Sequence, residues 1–364
     1  MIHIILSILL QAVTAFLLGT LLFDLVHYLL HHCLKSTNQW LQWLGKLHLV
    51  HHHFYTPMLQ INEKWTAANL RTHAVMEYVV QMTGILVCLS IFSPPAIILA
   101  ALFQTGLSAA VILYWHGVDP HHQPLSRLPS YVGGPWVTRN YHALHHVYPA
   151  NYYSSYLKLL DFLLGTGNQI TDKTIVMTGT SGALGSKMKS LLEKEGAHII
   201  ACKYGLDYTY DNYDKLIEPL TKADVILLCH GSKYEHAQEA NCDSFVRIIE
   251  LFKSLHPTRL TPLEIWAVGS EIECHPTFGI KQIKVYADSK RQYAHYARHY
   301  YRDRQIQYRH LVHSAFISRM GPGLMTAGMA AWWSVFLLKR GFRYIPVTYT
   351  GFAFINYLRF VFNK

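Results

Sequence analysis

The stretch Lys46–Tyr55 reads KLHLVHHHFY and contains the spacing H-x-x-H-H at His48, His51 and His52. On an α-helix, side chains three and four residues apart lie on one face. Three imidazoles that converge on one helix face are a typical donor set for a transition-metal ion. The stretch therefore predicts a helix that carries metal ligands.

The same pattern recurs elsewhere in the N-terminal half. The segment YHALHHVY repeats the spacing at His142, His145 and His146, and HYLLHH places His27 and His31 one helical turn apart. Interfacial or surface histidines are the alternative interpretation. Two copies of H-x-x-H-H together with H-x-x-x-H favour a metal site, because scattered surface histidines have no reason to keep helical spacing.

Three long apolar runs surround these motifs. Ile2 to about Leu30, Ala74–Phe92 and Ala96–Trp115 are each long enough to cross the hydrocarbon core, which takes about 20 residues. The second and third runs meet at Ser93-Pro94-Pro95, where proline ends one helix and starts a hairpin. The first run is too long for a cleavable signal peptide and ends in histidines.

The hairpin predicts that all histidine motifs lie at one membrane face. The few lysines and arginines of this half lie on the same side, so the positive-inside rule places that face in the cytoplasm.

The cysteine content and the charge of the chain also bear on its location. Six scattered cysteines without C-x-x-C suit a reducing compartment. The net charge of +10 resides mainly in the C-terminal half. It indicates attraction to an anionic membrane rather than to nucleic acid.

The N-terminal half resembles the fatty acid hydroxylase/sterol desaturase superfamily of integral-membrane di-iron oxygenases. The resemblance covers roughly residues 15–165 and rests on HYLLH (27–31), HLVHH (48–52) and HALHH (142–146), with weaker matches at THAVME and YWHGVDP. It implies two iron ions that activate dioxygen against an acyl chain or a sterol carbon. Three apparent spans, where the family often has four, are a departure. The implied metal ligands are His27, His31, His48, His51, His52, His73, His116, His142, His145 and His146.

Other residues near the motifs have supporting roles in this interpretation. Ring N–H groups of ligating histidines usually need a hydrogen-bond acceptor, and carboxylates serve this purpose. The acidic candidates are Asp24, Glu77, Asp119 and Asp161. Four more histidines adjoin implied ligands and are expected to be spare or to support them, namely His32, His53, His121 and His122.

The C-terminal half begins with a nucleotide-binding pattern. After a polar linker over residues 166–173, a buried strand at Thr174–Met177 leads into TGTSGALG and then a helix at Lys187–Glu195. Glycines between a strand and a helix let a pyrophosphate approach the helix N-terminus. The next strand ends at Lys203 rather than at an acidic residue, which favours NADP(H) over NAD(H).

A strand at Ile265–Gly269 ends at Ser270, and YADSK follows with Tyr286 and Lys290 four residues apart. We expect lysine to lower the phenol pKa, so that tyrosine exchanges a proton with a carbinol or carbonyl oxygen held by Ser270. Over residues 173–325 this half resembles the short-chain dehydrogenase/reductase family. The resemblance implies Ser270, Tyr286, Lys290 and Asn241 as catalytic residues. It implies Thr178, Gly179, Ser181, Gly182, Gly185, Lys203 and Gly231 as cofactor-binding residues.

Two departures bear on catalysis more than on cofactor binding. Cys229-His230-Gly231 replaces the asparagine-rich strand end of the family, and the stretch from there to Asn241 is short.

The aromatic and basic segment 326–364 has two open interpretations. It is either an in-plane membrane segment or the lid helix and last strand of the reductase fold.

The sequence therefore predicts an α-helical integral-membrane di-iron domain (residues 1–165) followed by an α/β Rossmann-type domain (residues 174–325). The fusion resembles bifunctional sterol desaturase/short-chain dehydrogenase proteins. We expect a membrane-bound enzyme that hydroxylates or desaturates a lipid with O₂ and interconverts alcohol and carbonyl with NADP(H). A separate ferredoxin- or cytochrome-type donor would supply electrons, because the chain shows no iron–sulfur, haem or flavin motif. The alternatives are a C-terminal domain that only docks, and a zinc-dependent membrane hydrolase.

Overall fold

The computed structural model describes residues 1–131, 133–277 and 283–362. The chain forms two compact units, Met1–Gly167 and Asn168–Lys364. The boundary lies within the linker predicted over residues 166–173. The units correspond to the predicted helical domain and the predicted α/β domain.

The N-terminal unit is helical, and three helices among its described residues are long and apolar enough to cross a membrane. They agree with the three predicted spans, although the second begins at Glu63 rather than at Ala74. In chain order the helices are α1 (Ile2–Cys33), α2 (Gln39–Phe54), α3 (Glu63–Ser90), α4 (Pro94–Tyr114), α5 (Arg139–Val147) and α6 (Leu159–Leu164).

Helices α1 and α3 touch at their backbones. A Cβ atom on Gly19 would lie 2.6 Å from the carbonyl oxygen of Gln81, and one on Gly84 would lie 2.7 Å from the Cα atom of Gly19. Small residues allow such an approach between membrane helices. Proline at the start of α4 forms the hairpin, and the Gln11 side chain accepts hydrogen bonds from the Ser93 amide and hydroxyl at 2.9 and 2.8 Å. The histidine-bearing ends of α1 and α3 are therefore held side by side.

Two of the long helices contain a widened π-helical turn, at Leu70–Ala74 in α3 and at Ala110–Tyr114 in α4. Such turns are rare and occur frequently at functional sites. The first carries His73, and the second immediately precedes the loop that leads to His116 and His122. Both turns therefore lie beside the histidine motifs.

The C-terminal unit is a six-stranded parallel sheet with helices on both faces, which confirms the predicted Rossmann-type class. The elements are β1 (Thr174–Thr178), α7 (Ala183–Lys194), β2 (His198–Cys202), α8 (Ile217–Lys222), β3 (Val225–Leu228), α9 (Ser244–Leu255), β4 (Leu263–Val268), α10 (Lys284–Arg302), β5 (Ile306–His313), β6 (Phe316–Ile317), β7 (Met325–Thr326), α11 (Ala327–Lys339), β8 (Tyr344–Val347) and α12 (Phe352–Phe362). The strand order in the sheet is β2-β1-β3-β4-β5-β8.

The two faces of this sheet are packed separately. One apolar cluster includes Met188 of α7 and Ala330 of α11, and the other includes Phe245 of α9 and Tyr293 of α10. From β1 the chain runs outward to β2 and then returns to β3 on the other side of β1. This reversal opens a crevice at the carboxyl ends of the strands, where ligands bind in such sheets.

The C-terminal segment continues the sheet beyond residue 325. Strand β8 pairs with β5, and α11 packs in the same apolar cluster as α7, so the segment supplies the last strand as one interpretation predicts. Helix α12 buries Ala353 and Phe360 but leaves Phe354 and Phe362 exposed. Its exposed apolar face is compatible with the other interpretation, a segment that lies on a membrane.

Candidate metal centre and nucleotide site

Nine histidines of the N-terminal unit form two adjacent groups. Within each group, the ring nitrogens that face each other lie within 4.8 Å of one another. Such separations allow the nitrogens of a group to share one ion. The first group is His27, His31, His48, His52 and His145, and the second is His51, His122, His142 and His146.

Helices α2 and α5 each serve both groups. In α2, His48 and His52 face the first group while His51 faces the second; in α5, His145 faces the first group while His142 and His146 face the second. The three histidines of each H-x-x-H-H motif are therefore divided between the two groups, although their rings lie close together. Successive residues of a helix are rotated by about 100°, so the fourth and fifth positions of the motif point to different neighbours.

Ring nitrogens within each group approach closely. The Nε2 atoms of His27 and His145 are 2.9 Å apart, and those of His31 and His48 are 3.1 Å apart. In the second group, His122 Nε2 lies 2.9 Å from His142 Nε2 and 3.1 Å from His51 Nε2. The lone pairs of the imidazole nitrogens in each group are therefore close together.

The protonation of these rings suits metal binding. Burial lowers the pKa of His48, His52 and His146 well below the ordinary value, and that of His145 to about 4. Neutral imidazoles keep the lone pair that a metal requires. His146 Nε2 is also buried without a hydrogen-bond partner, a state that costs free energy unless the atom binds an ion. The residues present therefore fit transition-metal ions.

Hydrogen bonds to the second ring nitrogen fix the orientation of several rings. Such bonds set the tautomer and raise the affinity of the ring for metal. His27 Nδ1 lies 3.1 Å from the carbonyl oxygen of Tyr153, and His51 Nδ1 lies 3.0 Å from the Asn69 side-chain oxygen. The corresponding acceptors for His145, His146 and His122 are the Asn151 carbonyl (2.8 Å), the Tyr55 carbonyl (2.9 Å) and the Asp119 carboxylate (3.0 Å).

Two predicted ligands lie outside both groups. His73 stacks on His51 with ring centroids 3.9 Å apart, and its Nδ1 atom lies 3.2 Å from that of His48. The side chain of His116 is exposed, and its backbone is left-handed with φ of 50°. His122, predicted as a spare or supporting residue, takes a place in the second group instead. The spacing Asp119-x-x-His122, which forms the Asp–His bond, was the available signal.

The other three histidines predicted to be spare or supporting belong to neither group. His32 and His53 are exposed, and the His121 ring lies 5.7 Å from that of His142. Asp161 accepts hydrogen bonds from the Tyr141 hydroxyl and the Tyr153 amide, both at 2.9 Å, and so fixes the loop whose carbonyl orients His27.

Two of the predicted supporting carboxylates, Asp24 and Glu77, form no hydrogen bond with a histidine of either group. Asp24 accepts from the Ser155 hydroxyl at 2.6 Å, and Glu77 lies 3.7 Å from His73 Nε2. Asp119 alone among the four predicted carboxylates bonds directly to a ring of either group in the described part of the chain.

A second site lies in the C-terminal unit. It is a cavity of about 980 Å³ at the carboxyl ends of the parallel strands. Thr178 does not line the cavity; it is buried, and its hydroxyl contacts His230 Nδ1 at 2.6 Å. The other predicted cofactor-binding and catalytic residues line it, namely Gly179, Ser181, Gly182, Gly185, Lys203, Gly231, Asn241, Ser270, Tyr286 and Lys290.

The glycine loop requires glycine at two positions. Gly179 has φ of 70°, and a Cβ atom there would lie 2.5 Å from the Cys229 carbonyl carbon; one on Gly185 would lie 2.1 Å from the Gly179 oxygen. Helix α7 begins at Ala183, earlier than the predicted Lys187, so its N-terminus directly follows the loop. This arrangement suits a pyrophosphate group.

The predicted catalytic side chains meet in this cavity. Tyr286 and Ser270 both line the cavity, and Lys290 Nζ donates to the Val268 carbonyl at 3.0 Å. Burial lowers the pKa of Lys290 to about 8. Burial also raises the pKa of Tyr286, and the interaction with the Ser270 side chain opposes this only in part. The net direction for the phenol is therefore opposite to the one expected from the sequence.

Asn241 lies in a widened helical turn, Glu239–Asp243, and its side chain is fully buried. Its amide nitrogen donates to the Ser232 carbonyl at 2.6 Å, the Ala237 carbonyl at 2.8 Å and the Ser289 hydroxyl at 3.1 Å. These bonds tie the short connection after β3 to the helix that carries Tyr286 and Lys290.

Sequence reasoning missed Glu271, which follows the predicted catalytic serine. This buried carboxylate accepts hydrogen bonds from the Ser314 and Thr348 hydroxyls and from the Ala353 amide at 3.2 Å. It therefore fixes two loops to the catalytic segment. No sequence motif marks it, because its partners lie far along the chain.

The C-terminal unit combines a Rossmann-type sheet with a glycine loop and the side chains of Ser270, Tyr286 and Lys290 around one cavity, a set that resembles the short-chain dehydrogenase/reductase type. The apolar helices and histidine groups of the N-terminal unit fit a sterol desaturase-like domain that could hold metal. No family model matches the chain.

The chain is 30% identical over 254 residues to the monoglucosyldiacylglycerol epimerase of Synechocystis sp., with 61% of this chain covered. The chain spans 61% of the length of that relative. Among solved structures, it is similar to a short-chain dehydrogenase from Burkholderia cenocepacia in complex with NADP (12% identity, TM-score 0.43, 54% of this chain and 95% of that chain). It is also similar to one from Sphingobium yanoikuyae in complex with NADPH (12% identity, TM-score 0.41, 51% and 93%).

Proposed function

We propose that this protein is a membrane-bound lipid oxidoreductase with two chemically distinct sites. The histidine centre oxidises a lipid with O₂, by hydroxylation or desaturation, and the C-terminal site interconverts an alcohol and a carbonyl with NADP(H). The observation that carries the proposal is the pair of histidine groups built from shared helices at one end of the apolar helices. Donor sets made of imidazole suit iron, copper and zinc, and the family resemblance favours two iron ions.

The residues of the N-terminal unit hold and orient the metal centre. The nine grouped histidines would bind the two ions, which supply the activation of O₂ when bound. Asp119, Asn69 and three backbone carbonyls fix the rings. A cavity of about 210 Å³ lies against both groups and is walled in part by Phe23, Leu107 and Val111, which suits an apolar substrate.

The residues of the C-terminal unit transfer a proton and hold the oxygen atom of the substrate. A nicotinamide cofactor, when bound, supplies or accepts hydride. Tyr286 gives or takes the hydroxyl proton, Ser270 holds the oxygen, and Lys290 supplies positive charge beside them. Lys203 lines the cavity at the end of β2. Its charge favours the 2′-phosphate of NADP(H), with NAD(H) as the second possibility.

A second candidate function is suggested by the relative that is named an epimerase. Epimerisation at a carbinol carbon is an oxidation to the ketone followed by return of hydride to the opposite face, without net redox change. Tyr286 would take the hydroxyl proton and give it back. The substrate would then be the sugar head group of a glycolipid.

Electrons for the histidine centre would come from a separate ferredoxin- or cytochrome-type donor at the cytoplasmic face. A nicotinamide transfers two electrons as hydride, whereas an oxygenase centre needs them singly, and a flavin, haem or iron–sulfur carrier normally divides the pair. The chain has no motif for such a carrier. The C-terminal site would act on the lipid in a separate step.

The test is reconstitution of the pure full-length protein in nanodiscs, together with metal analysis. We expect about two iron ions per chain. We also expect O₂-dependent oxidation of a lipid extract only when an electron carrier is supplied together with NADPH and a separate flavin reductase that passes electrons from NADPH to the carrier. Zinc in place of iron with hydrolysis of lipid would replace this function with the hydrolase alternative. Anaerobic conversion of monoglucosyldiacylglycerol to its sugar epimer would establish the second candidate. Absence of carbonyl reduction with intact NADPH binding would make the C-terminal unit a docking module.

A further inference from the structure

Helix α12 carries a broad apolar face that is exposed. Its buried side chains, Ala353, Asn356 and Phe360, recur at intervals of three and four residues and therefore form one stripe toward the core of the unit. The apolar side chains outside this stripe also follow helical spacing, so they adjoin one another. Between 44% and 73% of each is exposed, and they are Phe354, Ile355, Leu358, Val361 and Phe362. A contiguous exposed apolar surface marks a site for a binding partner.

The composition of α12 indicates the kind of partner. The helix has 11 residues, whereas a helix that crosses a bilayer needs about 20. It contains no aspartate or glutamate, and its one charged residue, Arg359, is exposed. A short helix with an apolar aromatic face and cationic charge is typical of segments that lie in the surface of an anionic membrane. The net charge of +10, which resides mainly in this half of the chain, has the same sign.

The same chain also provides the bilayer. Three helices of the N-terminal unit are long and apolar enough to cross a membrane, so the C-terminal unit remains tethered to one. Tethering raises the effective concentration of the bilayer at α12 far above that of a freely diffusing partner. These observations favour lipid over a protein as the partner of this face.

Buried carboxylates fix α12 to the catalytic segment. The hydroxyls of Thr348 and Thr350 and the amide of Ala353 donate hydrogen bonds to Glu271, which follows Ser270 directly. One turn further along α12, Asn356 Nδ2 donates to Glu273 at 3.2 Å and to the Tyr344 hydroxyl at 3.0 Å. The start of α12 therefore has a defined position relative to the catalytic serine.

The start of α12 also lies at the rim of the nucleotide cavity. Tyr349 and Thr350, which precede the helix, line this cavity. His275 lines it as well, and its ring centroid lies 5.1 Å from that of Phe352, the first residue of α12. A surface that covers the exposed face of α12 would therefore adjoin the rim of the cavity.

We infer that α12 docks the C-terminal unit on the anionic lipid bilayer and thereby places the rim of the nucleotide cavity at the membrane surface. A lipid then enters the cavity from the bilayer without passing through bulk water. This inference rests on the proposed function in taking the substrate of the C-terminal site to be a lipid. It adds the surface that docks and the route by which the substrate enters.

The docking is tested by photocrosslinking of the full-length protein in nanodiscs of phosphatidylcholine and phosphatidylglycerol. p-Benzoylphenylalanine, which reacts with nearby C–H bonds on illumination, replaces Phe354, Leu358 or His198 in separate variants. His198 is the matched control, because it is exposed on β2, at the opposite edge of the sheet from β8 and roughly 24 Å away across the strands. We expect lipid adducts about tenfold more often at Phe354 and Leu358 than at His198.

Two results of this experiment would overturn the inference. Crosslinks between two copies of the chain in place of lipid adducts would make the face a dimer interface. Equal lipid labelling at all three positions would exclude a membrane role for α12. Because crosslinking uses neither O₂ nor NADPH, its result does not depend on whether either site turns over.

The route of entry is tested with the double variant Phe354→Ser/Leu358→Ser. We expect about a tenfold loss in NADPH-dependent reduction of a long-chain ketone dissolved in the nanodisc, and an unchanged rate with cyclohexanone in water. Ile217→Ser, which alters an exposed apolar residue of α8, is the control and should retain both rates. Equal losses with the two ketones, or no loss with either, would overturn the route. A wild type that reduces neither ketone would contradict the proposed function, whereas the crosslinks decide the docking separately.

Discussion

His51 and His52 are adjacent in the chain but face different histidine groups, with their rings inclined at 79° to one another. His53, the next residue, is exposed and stacks on Trp65 instead. One helical turn of α2 therefore contains a residue of each group and a residue of neither. This arrangement provides a matched set of substitutions.

His51→Ala and His52→Ala should each lower the iron content well below that of the wild type, because each removes a nitrogen donor from one group. Both should abolish O₂-dependent lipid oxidation. His53→Ala is the control and should retain iron and activity. Metal analysis of the three purified variants is the measurement, and full iron content in His51→Ala or His52→Ala would contradict the assignment.

Asp119→Asn should weaken metal binding without removing a ligand. The carboxylate orients His122 through a 3.0 Å bond, and loss of such a partner typically costs about 10- to 100-fold in metal affinity. Competition with a chelator measures this affinity. Asp172→Asn is the control, since Asp172 is exposed and its left-handed backbone (φ of 64°) tolerates asparagine. Equal affinities of the two variants would show that Asp119 has no role in the centre.

Tyr286→Phe should reduce carbonyl reduction by about 10²–10⁴, because it removes the proton donor. NADPH binding should persist, since the glycine loop is unchanged. Tyr296→Phe alters an exposed phenol on the same helix and should leave both properties intact. NADPH oxidation with a panel of ketones and aldehydes is the assay. Unchanged rates in Tyr286→Phe would exclude this tyrosine as the acid.

Gly185→Ala should abolish nucleotide binding, because the added methyl group would lie 2.1 Å from the Gly179 oxygen and would displace the loop. Gly328→Ala, on α11 of the same unit, meets nothing closer than 3.7 Å and should bind nucleotide normally. NADPH fluorescence titration distinguishes the two. Normal binding by Gly185→Ala would mean that the cofactor does not use this loop.

The rate of carbonyl reduction should fall as pH rises through about 8. Burial lowers the pKa of Lys290 to about 8, so its ammonium group is charged below that pH and neutral above it. The positive charge favours retention of negative charge on the substrate oxygen and on Tyr286 during reduction. A pH–rate profile of kcat/KM with saturating NADPH tests this. A flat profile between pH 7 and pH 9 would contradict it.

The sequence was sufficient to predict the secondary-structure elements and most of the residues in each site. Helical spacing identified eight of the nine grouped histidines, and the strand–glycine–helix order identified the nucleotide crevice, since both depend on local geometry. The helical spacing of the histidines did not predict His122 in place of His116. The choice between them depends on a left-handed turn at His116 and on the bond from Asp119, both set by how the loop after α4 folds.

Other features depended on contacts between distant residues. The division of each H-x-x-H-H motif between two groups requires the relative placement of α2 and α5, which the sequence of neither helix contains. Glu271 acts through Ser314 and Thr348, more than forty positions away. The direction of the Tyr286 pKa shift follows from burial, which an isolated Y-x-x-x-K motif does not reveal.

Because α2 and α5 each contribute to both histidine groups, the first ion to bind would immobilise the framework that receives the second. Uptake should therefore be cooperative, with half-loaded protein scarce at intermediate ferrous iron concentrations. Native mass spectrometry during an anaerobic iron titration would show mainly the empty and the doubly loaded species. The same sharing means that neither ion can be exchanged without disturbing the surroundings of the other.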